Sequence, residues 1–208
     1  MRDIDVLFPE VLIHAPNCSD PIARRYLREA ARDVCDKVDL WRERDHITIS
    51  DAEGACLSTI SDAEIVKIEA ADLDGVSLTP QTPEWLDDNY PGWDKPNDSG
   101  ATSRYITQIK PGTIQVVPPN TGKLSVRFIL KPSRTATTLP DFLVDKYGTE
   151  IGKGAAARVL MLPTDDGGPN PQMGTVLQGE FNDFLDKLPM KVAKGQQGAR
   201  PRTKGSYF

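Results

Sequence analysis

Gly152-Lys153-Gly154-Ala155-Ala156-Ala157 is the stretch of this chain whose spacing comes nearest to a ligand-binding motif, because it fits the loose GxGxxA form of a dinucleotide fingerprint. In that fingerprint the glycines let a pyrophosphate meet bare backbone at a helix N-terminus, so a buried strand has to end at the first glycine. Here Tyr147-Gly148-Thr149-Glu150-Ile151 leads in with a helical pattern, and no acid follows about 20 residues later in a strand. The spacing predicts close helix packing through small side chains. A phosphate-cradling P-loop fails as well: Gly148 to Lys153 is misspaced, and Gly154 stands where a hydroxyl would have to ligate magnesium.

The other chemistry-bearing residues are similarly isolated. His14 and His46 are the only histidines, and no Cys/His cluster completes a zinc site around them. Asp45 and His46 would need a serine on a GxSxG elbow to form a triad, and the chain has none. Asp72, Asp74, Asp165 and Asp166 lack the ligand spacing and closing glutamate of a calcium loop and read as turn formers. Trp41, Trp85 and Trp93 read as packing residues, since no basic strand face interleaves with them to stack nucleic-acid bases. The expectation is a chain with no catalytic residue, no metal and no cofactor. The alternative from another class is a small nucleotide-binding enzyme built on Gly152 and Gly154.

One terminal stretch does stand out. The chain is acidic, with 25 Lys and Arg against 30 Asp and Glu, yet Gly198 to Phe208, GARPRTKGSYF, carries Arg200, Arg202 and Lys204 with no acid and ends on Tyr207 and Phe208. Gly195, Gly198, Pro201 and Gly205 disfavour helix and sheet, which predicts an extended arm that gains order only on a partner. Tyr207 and Phe208 would bury their rings there while the arginines make forked hydrogen bonds.

The elements that must hold such an arm follow from periodicity. Ser19 to Glu43 predicts a helix, with Asp20 as N-cap, Pro21 in the first turn and Ile22, Tyr26, Leu27, Ala30, Val34, Val38 and Trp41 facing inward. Arg24, Arg25, Arg28 and Arg32 fall on its charged faces. From Asp45 to Lys131 the period turns to two, with strands at HITIS, AEIVKIEA, SRYITQI, TIQVV and KLSVRFILK, a hairpin turn at Leu73-Asp74-Gly75-Val76, and a short helix capped at Thr82. Helical spacing returns in LPDFLVDKYGTEIGKGAAARVLMLP and again from Pro171 to about Lys191, where Met173, Val176, Leu177, Phe181, Phe184, Leu185 and Leu188 share a side. The fold class expected is α+β: a helical bundle built from the N- and C-terminal helices, an inserted antiparallel β domain, and an extended C-terminal arm. The boundaries expected are 1–44 for the N-terminal segment and first helix, 45–134 for the β domain, 135–192 for the later helices and 193–208 for the arm.

No apolar run approaches the roughly 18 residues a membrane helix needs. Cys18, Cys35 and Cys56 form no CxxC pair, and their odd number suits reduced thiols. The opening MRDIDVLFPEVLIHAP has acids where a secretory signal has a basic flank, which predicts folding in a cytoplasm.

The order of these features resembles the head-to-tail adaptor, or connector, proteins of tailed bacteriophages, including the tail tubular protein A type of short-tailed phages. The matching residues are the DPIARRYLREAARDVCDKVDLWRE helix, the Leu-Asp-Gly turn, PGW, the LKPSRTATTLPDFLVDKYGTEIGKGAAARVL segment and the basic tail. That resemblance implies a non-enzymatic virion protein, made in the host cytoplasm, of which twelve copies form a ring under the portal. The ring would extend the DNA channel, pass genomic DNA without sequence-specific binding, and offer a platform to the next tail component, a nozzle or tail tube protein. It further implies that Arg200, Arg202, Lys204, Tyr207 and Phe208 dock into the portal, and leaves Arg24, Arg25, Arg28 and Arg32 as possible subunit or portal contacts. No membrane partner is implied. Another phage neck protein, a head-completion or tail-terminator subunit, is the nearest alternative.

Overall fold

A computed structural model describes residues 1–50, 55–95, 100–162 and 170–193. Arg200, Arg202, Lys204, Tyr207 and Phe208 lie outside the described residues, as do Asp165 and Asp166. In chain order the elements are β1 (Arg2–Asp3), a 3-10 turn (Ile4–Leu7), α1 (Phe8–Leu12), α2 (Asp20–Lys37), β2 (Trp41–Ile49), β3 (Ala55–Leu57), β4 (Ala63–Leu73) and β5 (Val76–Pro80). There follow α3 (Pro83–Asn89), β6 (Tyr105–Thr107), β7 (Thr113–Val117), β8 (Gly122–Pro132), β9 (Thr138–Leu139), α4 (Asp141–Leu160) and α5 (Pro171–Ala193). The architecture is mixed α+β, and the chain divides into two compact units: Met1–Leu40 with Pro132–Phe208, and Trp41–Lys131.

In the helical unit, α4 is the central element. Its GKGAAA stretch is helical, and Gly148, Gly152, Gly154 and Ala155 to Ala157 are all buried. Each small residue marks a close approach by a neighbour: a Cβ on Gly148 would lie 2.8 Å from Leu7, one on Gly154 2.9 Å from the Phe181 ring, and one on Gly152 would overlap Glu10. The expected helix packing is what the structure shows. Arg158 of α4 pairs with Asp33 of α2 and lies 6.0 Å over the Phe181 ring of α5, tying three helices at one point.

The helices differ from expectation in several details. On α2 the buried stripe is Ala23, Leu27, Ala30, Ala31, Val34 and Cys35, and Ile22 is 39% exposed. Alanines prevail because α2 packs on the alanine stretch of α4, where close approach excludes a larger side chain. Its N-cap is Ser19, with Asp20 already helical and Pro21 behind it. On α5, Gly174 seats against Ala157, Leu160 and Met161, which turns Met173 and Val176 outward while Leu177, Phe181 and Leu188 are buried.

α2 also stops at Lys37, and Trp41, read as its last apolar residue, opens a strand instead. β2 pairs antiparallel with β8 from Trp41↔Leu130 to Ile49↔Gly122, and burial of Trp41, Asp45, Ile47 and Ile49 follows a period of two. Strand pairing with β8 along the full length of β2 outweighs the local helical signal.

The seven-stranded sheet runs in the order β2-β8-β4-β5-β6-β7-β3. It is not wholly antiparallel. β5 and β6 run parallel, with Thr79↔Tyr105 and Pro80↔Ile106 in register. Parallel neighbours need a long crossover, which the segment 81–104 with α3 in it supplies. The predicted hairpin turn joins β4 to β5, with Leu73 opposite Val76 and positive φ at Asp74 and Gly75, the geometry of a two-residue primed turn.

The two outer strands of that order, β2 and β3, come together, so the sheet nearly closes into a barrel. The seam is fastened by Asp45, only 5% exposed, whose carboxylate accepts the Thr59 amide at 2.8 Å, the Thr59 hydroxyl at 2.6 Å and the Ser58 hydroxyl at 3.2 Å. Asp45→Ala leaves these donors facing an apolar gap, and the expected loss is about 3 kcal/mol in urea unfolding. A variant that unfolds at the wild-type midpoint would contradict this account of the seam. Cys56, on β3 nearby, is pushed up to about 11 by burial first and by the Asp45 charge second. Alkylation of Cys56 at pH 8, followed by peptide mass, is therefore expected to run about a hundredfold slower in the folded chain than in urea. Equal rates would refute it.

Candidate assembly surface

The four arginines of α2 do different work. Arg24 forks onto Asp5, with its Nε 2.8 Å from one carboxylate oxygen, and its guanidinium lies 5.6 Å over the Phe8 ring. That hydrogen-bonded cation holds the Asp5 carboxyl below its ordinary value. Arg28 donates to the Arg134 carbonyl at 2.5 Å and Arg32 to the Pro132 carbonyl at 2.6 Å. These two arginines satisfy backbone carbonyls at the end of β8 and just beyond it, where the chain turns toward α4. Arg25 is the outward member: its side chain is 70% exposed, with Glu29 one turn on at 3.2 Å.

Exposed apolar side chains cluster in two parts of the helical unit. Val6, Leu12, Ile13 and Ile22 are 37 to 71% exposed in its first residues, and Met161, Met173 and Val176 are 39 to 57% exposed where α4 ends and α5 begins. Large apolar groups left in water mark a surface suited to protein contact. Ile22, expected to face inward, and Met173 and Val176, expected to share a side with Leu177 and Phe181, are surface residues instead. The signal that would have found them is the smallness of Ala23 and Gly174, which take the inner positions beside them.

Among the described residues no group of three or more His, Cys, Asp or Glu side chains is arranged to hold a metal ion. No described helix is long and apolar enough to cross a membrane. Cys18, Cys35 and Cys56 are not joined in disulfides. Trp41 and Trp93 are buried, with their indole N–H groups donating to Glu43 at 2.8 Å and Asp87 at 2.7 Å, in keeping with a packing role.

A helical unit with Arg25 and several apolar side chains exposed, carried in one chain with a nearly closed sheet, offers surfaces suited to protein contact. The chain belongs to the SU10 adaptor protein family, a family of phage head-to-tail adaptors, whose model matches residues 5–205 and so spans both units and most of the basic tail. Its place is the phage virion and its role is structural, not enzymatic. Adaptors of this kind contact portal and tail components. No curated protein matches the chain.

Proposed function

We propose that this protein is the ring-forming adaptor of its particle, made in the host cytoplasm and assembled under the portal in twelve copies, where it extends the DNA channel and receives the nozzle or tail tube component. The observation that carries the reading is the reach of the family match from residue 5 to residue 205, across both units and into the basic tail. Arg200, Arg202, Lys204, Tyr207 and Phe208 form the arm that docks between portal subunits. Arg25, with the exposed apolar residues of α1 and α2, supplies the helical unit's contact with a neighbour or the portal. DNA passes without being held, since the body of the chain is acidic and repels phosphate.

Native mass spectrometry of the purified chain, alone and mixed with the purified portal of the same particle, tests this reading. The expected result is a portal-bound species carrying a ring of copies. A chain that never associates with the portal overturns it.

A further inference from the structure

Charge is divided unevenly along this chain. Trp41–Lys131 carries 9 Lys and Arg against 14 Asp and Glu, while the remaining residues carry 16 of each, so the net charge of -5 resides in the β unit. Within that acidic unit, however, cations gather on one face. β2 turns Arg42 and Arg44 outward, β8 turns Lys123 and Arg127 outward, and the strand register sets Arg44 directly opposite Arg127. Like charges facing across a ladder repel, and a sheet keeps them together only at a cost.

The acids nearby do not settle that cost. Glu69 of β4 is shared by Arg42 at 3.2 Å and Arg127 at 2.6 Å, and Asp74 is taken by the Lys123 amide at 3.0 Å. The Arg44 side chain makes no ion pair or hydrogen bond among the described residues. It lines an open groove of about 440 Å³, with Arg127 and Asp72 as the other charged members.

Farther along the strand order, over β6 and β7, the surface has the opposite character. Trp85 and Tyr90 flank Tyr105 with ring centroids 5.2 and 6.2 Å apart, and all three rings stay partly open to solvent. Glu84 and Asp88 on the helix that carries Trp85, and Asp94 after Tyr90, are exposed and have no ion-pair partner among the described residues, with Lys95 the single cation of the segment 83–95. Rings edged with free carboxylates suit a guanidinium, which can lie over an aromatic face and fork onto an acid at once.

We infer that these are the two halves of one contact between neighbouring copies of this chain, the Arg44 and Arg127 face of one subunit receiving the aromatic and acidic α3 face of the next. Both halves are carried by the same compact unit at separated places in the strand order, with Arg44 on one half and the α3-side carboxylates on the other unpaired among the described residues and matched between chains. A contact between two different faces is heterologous, and it closes into a ring when the rotation per subunit divides a full turn. The inference rests on the ring reading above and names the surfaces that build the ring.

Charge reversal tests it, because both reversals favour the fold while opposing the contact. Arg44→Glu sets a carboxylate opposite Arg127, a favourable cross-strand pair. Asp88→Arg puts a cation in the last turn of α3, where the helix dipole welcomes it. Each single variant is expected to melt at or above the wild-type temperature, yet to lose about tenfold or more of the portal-bound ring in native mass spectra. The double variant Arg44→Glu/Asp88→Arg restores the pairing with its polarity exchanged and is expected to recover the ring. Rings undisturbed by either single reversal overturn this contact and leave the ring reading standing. Loss in both singles without recovery in the double also overturns it, since the two faces then meet different partners. A wild-type chain that forms no ring with the portal overturns the ring reading and this contact with it.

Discussion

Gly152→Leu is expected to cost the helical unit about 4 kcal/mol or more, enough to bring a domain of ordinary stability to the edge of unfolding. A side chain at this point meets the Cβ and backbone of Glu10, so α1 must lift away from α4. Lifting it exposes Leu7 and Val11, which are 3% and 0% exposed in the packed unit, and each loses about 1.5 to 3 kcal/mol of burial. Gly179→Ala is the matched control. Gly179 also lies in a helix, with nothing within 4 Å of its added Cβ, so alanine is expected to be neutral or to stabilise by up to about 1 kcal/mol through helix propensity. Thermal melts of the two variants decide the matter, and a Gly152→Leu protein as stable as the wild type would remove α4 from the centre of this account.

Deleting Ala199 to Phe208 is the second change with a large expected effect, and it falls on assembly alone. Truncation takes Arg200, Arg202, Lys204, Tyr207 and Phe208 from a segment that follows the last helix, so the melting temperature is expected to stay within a degree or two of wild type while portal attachment is lost. Ordering one arm costs roughly 2 to 5 kcal/mol, which leaves a single docking event weak. A ring of arms on a ring of grooves makes each later event intramolecular, with a gain on the order of a hundredfold or more. Removing the arm forfeits that whole gain, so the expected loss exceeds what any one side chain contributes. Co-sedimentation with the portal reads it, and undiminished attachment of the truncated chain refutes the tether.

How far the sequence disclosed this molecule depends on the range of the forces involved. The α4 segment was legible because helix period, small residues and the absence of a preceding strand all agree, and GKGAAA proved to be a packing surface. The turn at Asp74-Gly75 was legible because two-residue primed turns restrict residue choice so strongly. Trp41 was not, since its strand is decided by β8, some 90 residues on, and the local pattern up to Glu43 still fits a helix. The parallel β5–β6 pair was hidden for the same reason: strand direction follows from where the α3 crossover lands, which no local period encodes. β3 is too short to show a period at all. Of the candidate site, the α2 arginines were found by type, but their division of labour needed the fold, because the carbonyls that Arg28 and Arg32 bind belong to Arg134 and Pro132.

A density map of the chain assembled on the portal of its particle tests the central claim most directly. The account predicts a closed ring of copies coaxial with the portal, with Tyr207 and Phe208 of each copy lodged between portal subunits. A map in which the chain forms no ring at the portal vertex, or in which those closing residues touch no neighbour, would contradict it.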